Sequence, residues 1–402
     1  MANDNKKYIP VLRFPEFQND GEWSMDTMEN IFDIKNGYTP SKSNPSFWDN
    51  GTIPWFRMED IRKNGHILSD SIQHVTPAAV KNAGLFPAYS IIVATTATIG
   101  EHALIIVDSL ANQRFTFLTK RKSFDNKLDM MYFHYFMFII DEWCKRNTNA
   151  GGLLSVNMDS FKKLTIPYPS SLSEQKKIAD CFVSIDKDID ATKRKLEQIK
   201  EHKKGLMQKL FPAKGKTLPE LRFPEFQNDE EWIPRPLSDI LNYEQPTPYI
   251  VEDDTYKKEG TPVLTANKGF ILGYTDESHG IYNKLPVIIF DDFTTDKKYV
   301  DFPFKIKSSA IKLLTLKDGE RDNLRFVFEC MNNIVFEEKE HKRYYISEYQ
   351  HINIYVPSSL QEQNQIADIL LSVDKQISEY DKKIKALELH KKGLMQQLFP
   401  KL

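Results

Sequence analysis

The sequence predicts an α+β protein: two mixed α/β heads separated by two long helices that pair as an antiparallel coiled coil, an internal repeat with pseudo-twofold character. Two observations predict it. Residues 170–212 recur as 358–400, with 23 identities in 43 gapless positions at an offset of 188. Residues 12–23 (LRFPEFQNDGEW) recur as 221–232 (LRFPEFQNDEEW), eleven identities in twelve at an offset of 209. Each half therefore reads as entry motif, head and long helix.

The repeated helix is recognised by its period. Ile178, Phe182, Ile185, Ile189, Leu196, Ile199, Leu206 and Leu210 follow steps of four and three, and Ile366, Leu370, Val373, Ile377, Ile384, Leu387, Leu394 and Leu398 repeat them. An apolar residue every 3.5 positions, held this long, is a coiled-coil seam. Lys203 and Lys391 interrupt it at equivalent places, and their ammonium groups are expected to reach solvent or a partner. Ser171 with Glu174 and Ser359 with Glu362 fit a capping box at the helix starts. Pro212 and Pro400 end the helices. At 1.5 Å per residue the rod is roughly 55–60 Å long.

The organisation follows: a first head over 1–169 (entry motif 12–23), the first helix over 170–212, and a linker over 213–220. The second head then covers 221–357 (entry motif 221–232) and the second helix 358–402. The first head carries 21 more residues, the difference between the two offsets (209 − 188). In the first head, strands are expected at 53–58, 90–96, 103–107, 115–119 and 164–168, with a buried aromatic helix at 128–146. In the second, strands are expected at 262–266, 270–273, 287–290, 310–316 and 352–356, with a helix at 323–335.

Composition narrows the function. With 402 residues, 41% hydrophobic, the chain has ample core for two or three domains. Three cysteines without CxxC spacing argue against a disulfide framework or zinc site and fit a reducing cytoplasm. The most apolar run, 132–140, is too short to cross a bilayer, so a soluble cytoplasmic protein with no membrane partner is expected. The net charge of −2 gives no global nucleic-acid signature, although 170–216 holds twelve Lys/Arg against seven Asp/Glu. No glycine-rich dinucleotide or methyl-donor fingerprint and no Walker loop occurs. Asn44-Pro45-Ser46-Phe47 resembles an amino-methyltransferase signature only superficially, and a turn is expected there. No catalytic residue and no metal site is assigned.

The two RFPEF entries, the two SLxEQxxIA helix starts and the two HKKGLMQ(K/Q)LFP ends resemble the specificity subunit of type I restriction–modification enzymes. The run GYTPSKSNPSFW…GTIPW…TATIG…NQRF in the first head belongs to the same resemblance, which covers essentially the whole chain. It implies a non-catalytic subunit with two target recognition domains, each reading one half of a split, asymmetric site in double-stranded DNA. The paired helices would space the heads and dock two adenine methyltransferase subunits, through which restriction subunits attach. S-adenosylmethionine, ATP and Mg would be held by those partners and none by this chain. A rod fixing the separation of two readers is how dimeric readers set half-site spacing. The rival reading is a coiled-coil scaffold whose two heads bind proteins.

Candidate DNA-contacting residues come from polar turns. In the first head they are Thr39 and Lys42 within 37–42, Arg57, and Thr95, Thr96 and Thr98 in the hydroxyl-rich turn 94–100. A plain hairpin asks for the same residues in that turn. Asn112, Gln113 and Arg114 carry side chains suited to adenine and guanine edges, or form a loop bonded to its own backbone. Trp55 is assigned to the core, and 149–157 to a loop that orders on DNA. In the second head they are Gln245, Thr265, Asn267, Lys268, Thr294, Thr295, Lys297 and Lys298, with 341–344 beside them. The lysines would meet phosphate, and Asp291 and Asp292 would accept from a cytosine amine.

Overall fold

A computed structural model of the chain describes residues 8–81, 84–149, 154–266, 269–337 and 342–402. It divides into two compact units: one runs to Thr192 and takes in Lys383–Leu402, the other is Lys193–Lys382. The division cuts both long helices, so each unit holds the beginning of one and the end of the other.

The first unit opens with β1 (Ser24–Thr27), α1 (Met28–Ile31) and β2 (Phe32–Asn36). Then come β3 (Ile53–Phe56), α2 (Met58–Asn64), β4 (Ile67–Leu68) and β5 (His74–Val75). β6 (Ser90–Ala94), β7 (His102–Ile105), β8 (Leu110–Ala111) and β9 (Phe115–Lys120) complete its two sheets. The larger has the order β2-β9-β6-β7-β4, the smaller β5-β3-β8. The aromatic helix α3 (Met130–Arg146), α4 (Met158–Lys162) and β10 (Thr165–Tyr168) lead into α5 (Leu172–Leu210). β10 pairs antiparallel with β1, Ser24 opposite Tyr168, so the head leaves beside its point of entry.

The second unit repeats the plan with different residues. β11 (Ile233–Pro236), α6 (Leu237–Ile240) and β12 (Leu241–Glu244) open it. β13 (Thr261–Leu264), β14 (Ile271–Thr275), β15 (Val287–Asp291) and β16 (Lys297–Val300) follow. β17 (Lys305–Ile306), β18 (Ile311–Leu316), α7 (Leu324–Asn332), β19 (Asn353–Val356) and α8 (Leu360–Leu398) complete it. Its sheets run β12-β18-β15-β16 and β14-β13-β17, and β11 pairs with β19. Strand for strand this is the first head without β4. Between β3 and β5 the first head inserts α2 and β4, whereas only six residues, 265–270, separate β13 from β14 in the second.

The helix starts depart from the capping-box expectation. Ser359 Oγ does accept from Glu362 N at 3.3 Å. The glutamates, however, do not reach back: they grip the arginines of the entry motifs. Arg13 donates Nε and Nη2 to Glu174 at 2.7 and 2.6 Å, and Arg222 donates the same pair to Glu362 at 2.9 and 2.8 Å. The remaining arginine N–H groups hold carbonyls of their own turn, Asp20 and Asp229 among them. Both glutamates are about 1% exposed, and the bidentate geometry satisfies four of their acceptor sites. The next residue, glutamine, organises the head's helix. Gln175 Oε1 accepts from Asp129 N at 2.8 Å and Gln363 Oε1 from Asn323 N at 2.9 Å. Those residues in turn cap α3 and α7 through Tyr132 N and Phe326 N. The repeated Glu-Gln therefore joins entry motif, long helix and head.

Within each unit the two long-helix segments run antiparallel. In the first, Phe182 stacks on Phe399 at 5.6 Å and Lys391 donates to Asp186 at 2.6 and 2.8 Å. In the second, Lys203 donates to Asp374 at 2.8 and 2.9 Å. These are one bridge written twice at the 188 offset, and they are where the two seam lysines go. Ile178, Phe182, Ile189, Leu196, Ile199, Leu210, Ile366, Leu370, Val373, Ile384 and Leu398 are buried. Ile185, Leu206, Ile377, Leu387 and Leu394 are half-buried. The LFP ends go under the heads: Phe399 meets Tyr132 and Phe136, and Phe211 meets Trp232 and Phe326. Leu12 N donates to Gln397 O, and Leu221 N to the equivalent Lys209 O.

Removing one partner of a buried pair typically costs about 3–5 kcal/mol. Glu362→Ala is thus expected to lower stability by about 3 kcal/mol in denaturant unfolding, with Arg222→Met/Glu362→Met recovering most of the loss. Phe399→Ala removes a buried ring, a change worth about 3–5 kcal/mol. Its effect should fall on the unit containing the first head: hydrogen exchange should accelerate in α3 and not in α7.

Candidate nucleic-acid interface

Strand register brings the scattered candidates together. In the first unit Asn36 lies opposite Thr116, and Ala94 opposite Phe115, so β2 and β6 end where β9 begins. β3 and β8 run parallel, with Phe56 beside Ala111, and β8 turns directly into β9. The segments that follow β2, β3, β6 and β8 therefore emerge along one edge. They carry Thr39, Arg57, Thr95, Thr96, Thr98 and Asn112–Arg114. The second unit has the same geometry, with Asp291 opposite Ile311, Glu244 opposite Leu313 and Leu264 beside Ile306. There the edge carries Gln245, Thr265 and the turn between β15 and β16.

The first edge is cross-braced. Gly37 N donates to Phe115 O at 2.9 Å and Tyr38 N to Ala111 O at 2.8 Å. That approach is so close that a Cβ on Gly37 would run into the Ala111 and Asn112 carbonyls, which only glycine avoids. Thr39 donates to Gln113 Oε1. Thr95 and Thr116 hydroxyls share a 3.2 Å bond, and Thr116 donates to Asn36 at 2.9 Å. Thr95 is 8% exposed, so its hydroxyl braces the edge. A polar depression is lined by Asn36, Thr95, Thr96, Gln113, Asn149 and Ser155. Thr96 bridges to Ser155, and Val156 N donates to Thr95 O at 2.9 Å. Residues 150–153, the centre of the loop expected at 149–157, lie outside the described residues. Asn112 Oδ1 accepts from Arg114 N at 3.0 Å, so this side chain closes its own turn, while Gln113 and Arg114 are exposed. Arg57 lies over Trp55 at 6.0 Å and meets Glu59 at 3.1 Å, and Trp55 is core. Lys42 is exposed. Asn44 caps the short turn Pro45–Phe47 through Ser46 N.

Several expectations for the second head are corrected. Asp291 does not face outward: its Oδ1 accepts from Phe293 N and Thr294 N at 2.9 and 3.0 Å, closing the β15–β16 turn. Asp292 is 1% exposed. It accepts from Tyr345 N at 2.8 Å and pairs with buried Lys312 at 3.3 Å. Lys297 folds inward, over the Tyr349 ring at 5.6 Å and onto Thr295 O at 3.3 Å. Burial pushes its ammonium pKa down. Thr295 is buried with φ +52°, a turn position; Thr294 is exposed and Lys298 half-buried. Gln245 is exposed and accepts from Lys312 at 3.0 Å. Thr265 N donates to Phe270 O. Asn267, Lys268 and His341 lie outside the described residues. Lys312 was not anticipated because, in the run IKLLTL, it reads as a solvent-facing strand lysine.

Comparison with known proteins identifies the frame. The family model described as "Type I restriction modification DNA specificity domain" matches residues 20–201 and again 229–389. The EcoprrI specificity subunit of Escherichia coli is 49% identical over 152 residues, 38% of this chain and 38% of that protein. The EcoR124I/EcoR124II specificity subunit, also of E. coli, is 49% identical over 151 residues, 35% of this chain and 37% of its own length. The chain thus matches less than two fifths of the length of these relatives. In fold it is similar to the crystal structure of the type I S subunit from M. genitalium, with a TM-score of 0.66 at 16% identity, covering 98% of this chain and 99% of that one. A model match in both halves, spanning most of the residues, places the chain in the type I restriction–modification DNA specificity family.

Proposed function

We propose that the chain is the non-catalytic recognition subunit of a type I restriction–modification complex. Residues 1–169 and 221–357 are its two recognition domains, each reading half of a split, asymmetric site in duplex DNA. One observation carries this reading: in each unit the polar segments chosen from sequence emerge along the same sheet edge. Hydrogen bonds hold that edge in both units, through different side chains. Two readers of like frame and unlike surface suit two different half-sites. The repeated helices are the part common to both halves, which suits them to dock two copies of one methyltransferase subunit. The restriction subunits attach through that core. S-adenosylmethionine, ATP and Mg belong to the partners.

Expressed with its cognate methyltransferase, the chain is expected to direct adenine methylation to one asymmetric split motif, and alone to methylate nothing. Methylome sequencing after deletion of the gene is the test; survival of every adenine mark would overturn the reading. The reciprocal bridges generate a second test. A fragment of residues 1–216 carries Asp186 and Lys203 and includes, at 210–212, the LFP that a head requires, so two copies can exchange both contacts. Co-expressed with the methyltransferase, it should modify an inverted repeat of the first half-site at nearly the original spacing. A motif still containing the second half-site would refute the assignment of one head to each half.

A further inference from the structure

The two heads match strand for strand, so every segment at the reading edge of one has a counterpart in the other. The segment after β2 corresponds to that after β12, the segment after β3 to that after β13, and the β6–β7 turn to the β15–β16 turn. One counterpart carries no residue with an assigned role: the turn between β17 and β18, residues 307–310. Its equivalent, the turn between β8 and β9, holds Asn112, Gln113 and Arg114.

The match extends to individual bonds. Asn112 N donates to Phe56 O at the end of β3 at 3.0 Å, and Lys307 N to Leu264 O at the end of β13 at 3.1 Å. Asn112 Oδ1 accepts from Arg114 N at 3.0 Å, and Ser308 Oγ accepts from Ala310 N at 3.1 Å. The second turn is one residue longer: Lys307 takes the backbone place of Asn112, and Ser308, the next residue, makes the side-chain-to-backbone closing bond that Asn112 makes itself. In both, the residue after the closing side chain is exposed: Gln113 in one, Ser309 in the other. Phe115 and Ile311, opposite Ala94 and Asp291, then begin the equivalent strands.

We propose that the 307–310 turn is a DNA-reading turn of the second head, with Ser309 presented to the duplex where Gln113 is presented by the first. The proposal rests on the reading of these edges as DNA-facing. A glutamine can bond both edge atoms of adenine, whereas a serine hydroxyl gives or takes a single bond and serves any base. The second head should therefore discriminate less sharply than the first at the base its turn meets, and a longer side chain there should change its preference.

The test uses the full chain with its methyltransferase, comparing Ser309→Arg and Gln113→Ala by methylome sequencing and by binding to duplexes altered in one half-site at a time. Ser309→Arg is expected to change base tolerance in the second half-site only, or to weaken cognate binding about tenfold, the size of one lost base contact. Gln113→Ala should act only on the first half-site. If Ser309→Arg leaves motif and affinity unchanged while Gln113→Ala alters the first half-site, the turn is not a reader and the wider assignment stands. If neither variant changes anything, the DNA-facing reading of both edges fails with it. Should Ser309→Arg not assemble, the uncharged Ser309→Gln is scored by the same outcomes.

Discussion

Everything else in each unit hangs on the arginine–glutamate clasp between entry motif and helix start. It ties a segment before the head to the first turn of the helix after it. Because the glutamate is withdrawn from water, the clasp tolerates little change in geometry: without its arginine the carboxylate would be a buried, uncompensated ion. The glutamine beside it extends the same constraint to the helix inside the head. Three separate parts of the chain are thereby set by two adjacent residues.

That arrangement explains which residues repeat and which do not. Arg13, Glu174, Gln175, Asp186 and Lys203 all have repeat partners in the second half, and all serve the frame. The sheet edges that carry the candidate contacts have no such duty. They need only glycine at close approaches, as at Gly37, and turn-closing side chains, which asparagine, aspartate and serine supply equally well. Asn112, Asp291 and Ser308 each perform that task. Divergence between the heads is therefore concentrated where the frame does not depend on side-chain identity.

Much of this was legible in the sequence. The 3.5-residue period marked both long helices, and α3 was visible as an aromatic run flanked by polar residues. β1, α1, β2 and their counterparts escaped because four- or five-residue elements show no period. The clasp escaped because its partners stand 161 and 140 residues apart, and a serine–glutamate spacing offered a local explanation for the same glutamate. The available signal was that an arginine and a glutamate recur together in both copies. Asp292 and Lys297 were misread for a different reason. Charged residues beside a turn look solvated, and only the packing of Tyr345 and Tyr349 reveals that they point inward.

The pairing of β1 with β10, and of β11 with β19, has a consequence for how such a chain changes over time. Adjacent strands lie about 4.8 Å apart, so each head begins and ends at a fixed doorway. Whatever is threaded between the two doorposts leaves the clasp, the bridge and the LFP socket in place. The first head's extra α2 and β4 lie inside that doorway and do not disturb it. A head of new length or sequence needs compatibility with only two short strands and one helix cap. A changed interior can then be taken in as a self-contained cartridge, while the frame that receives it stays the same.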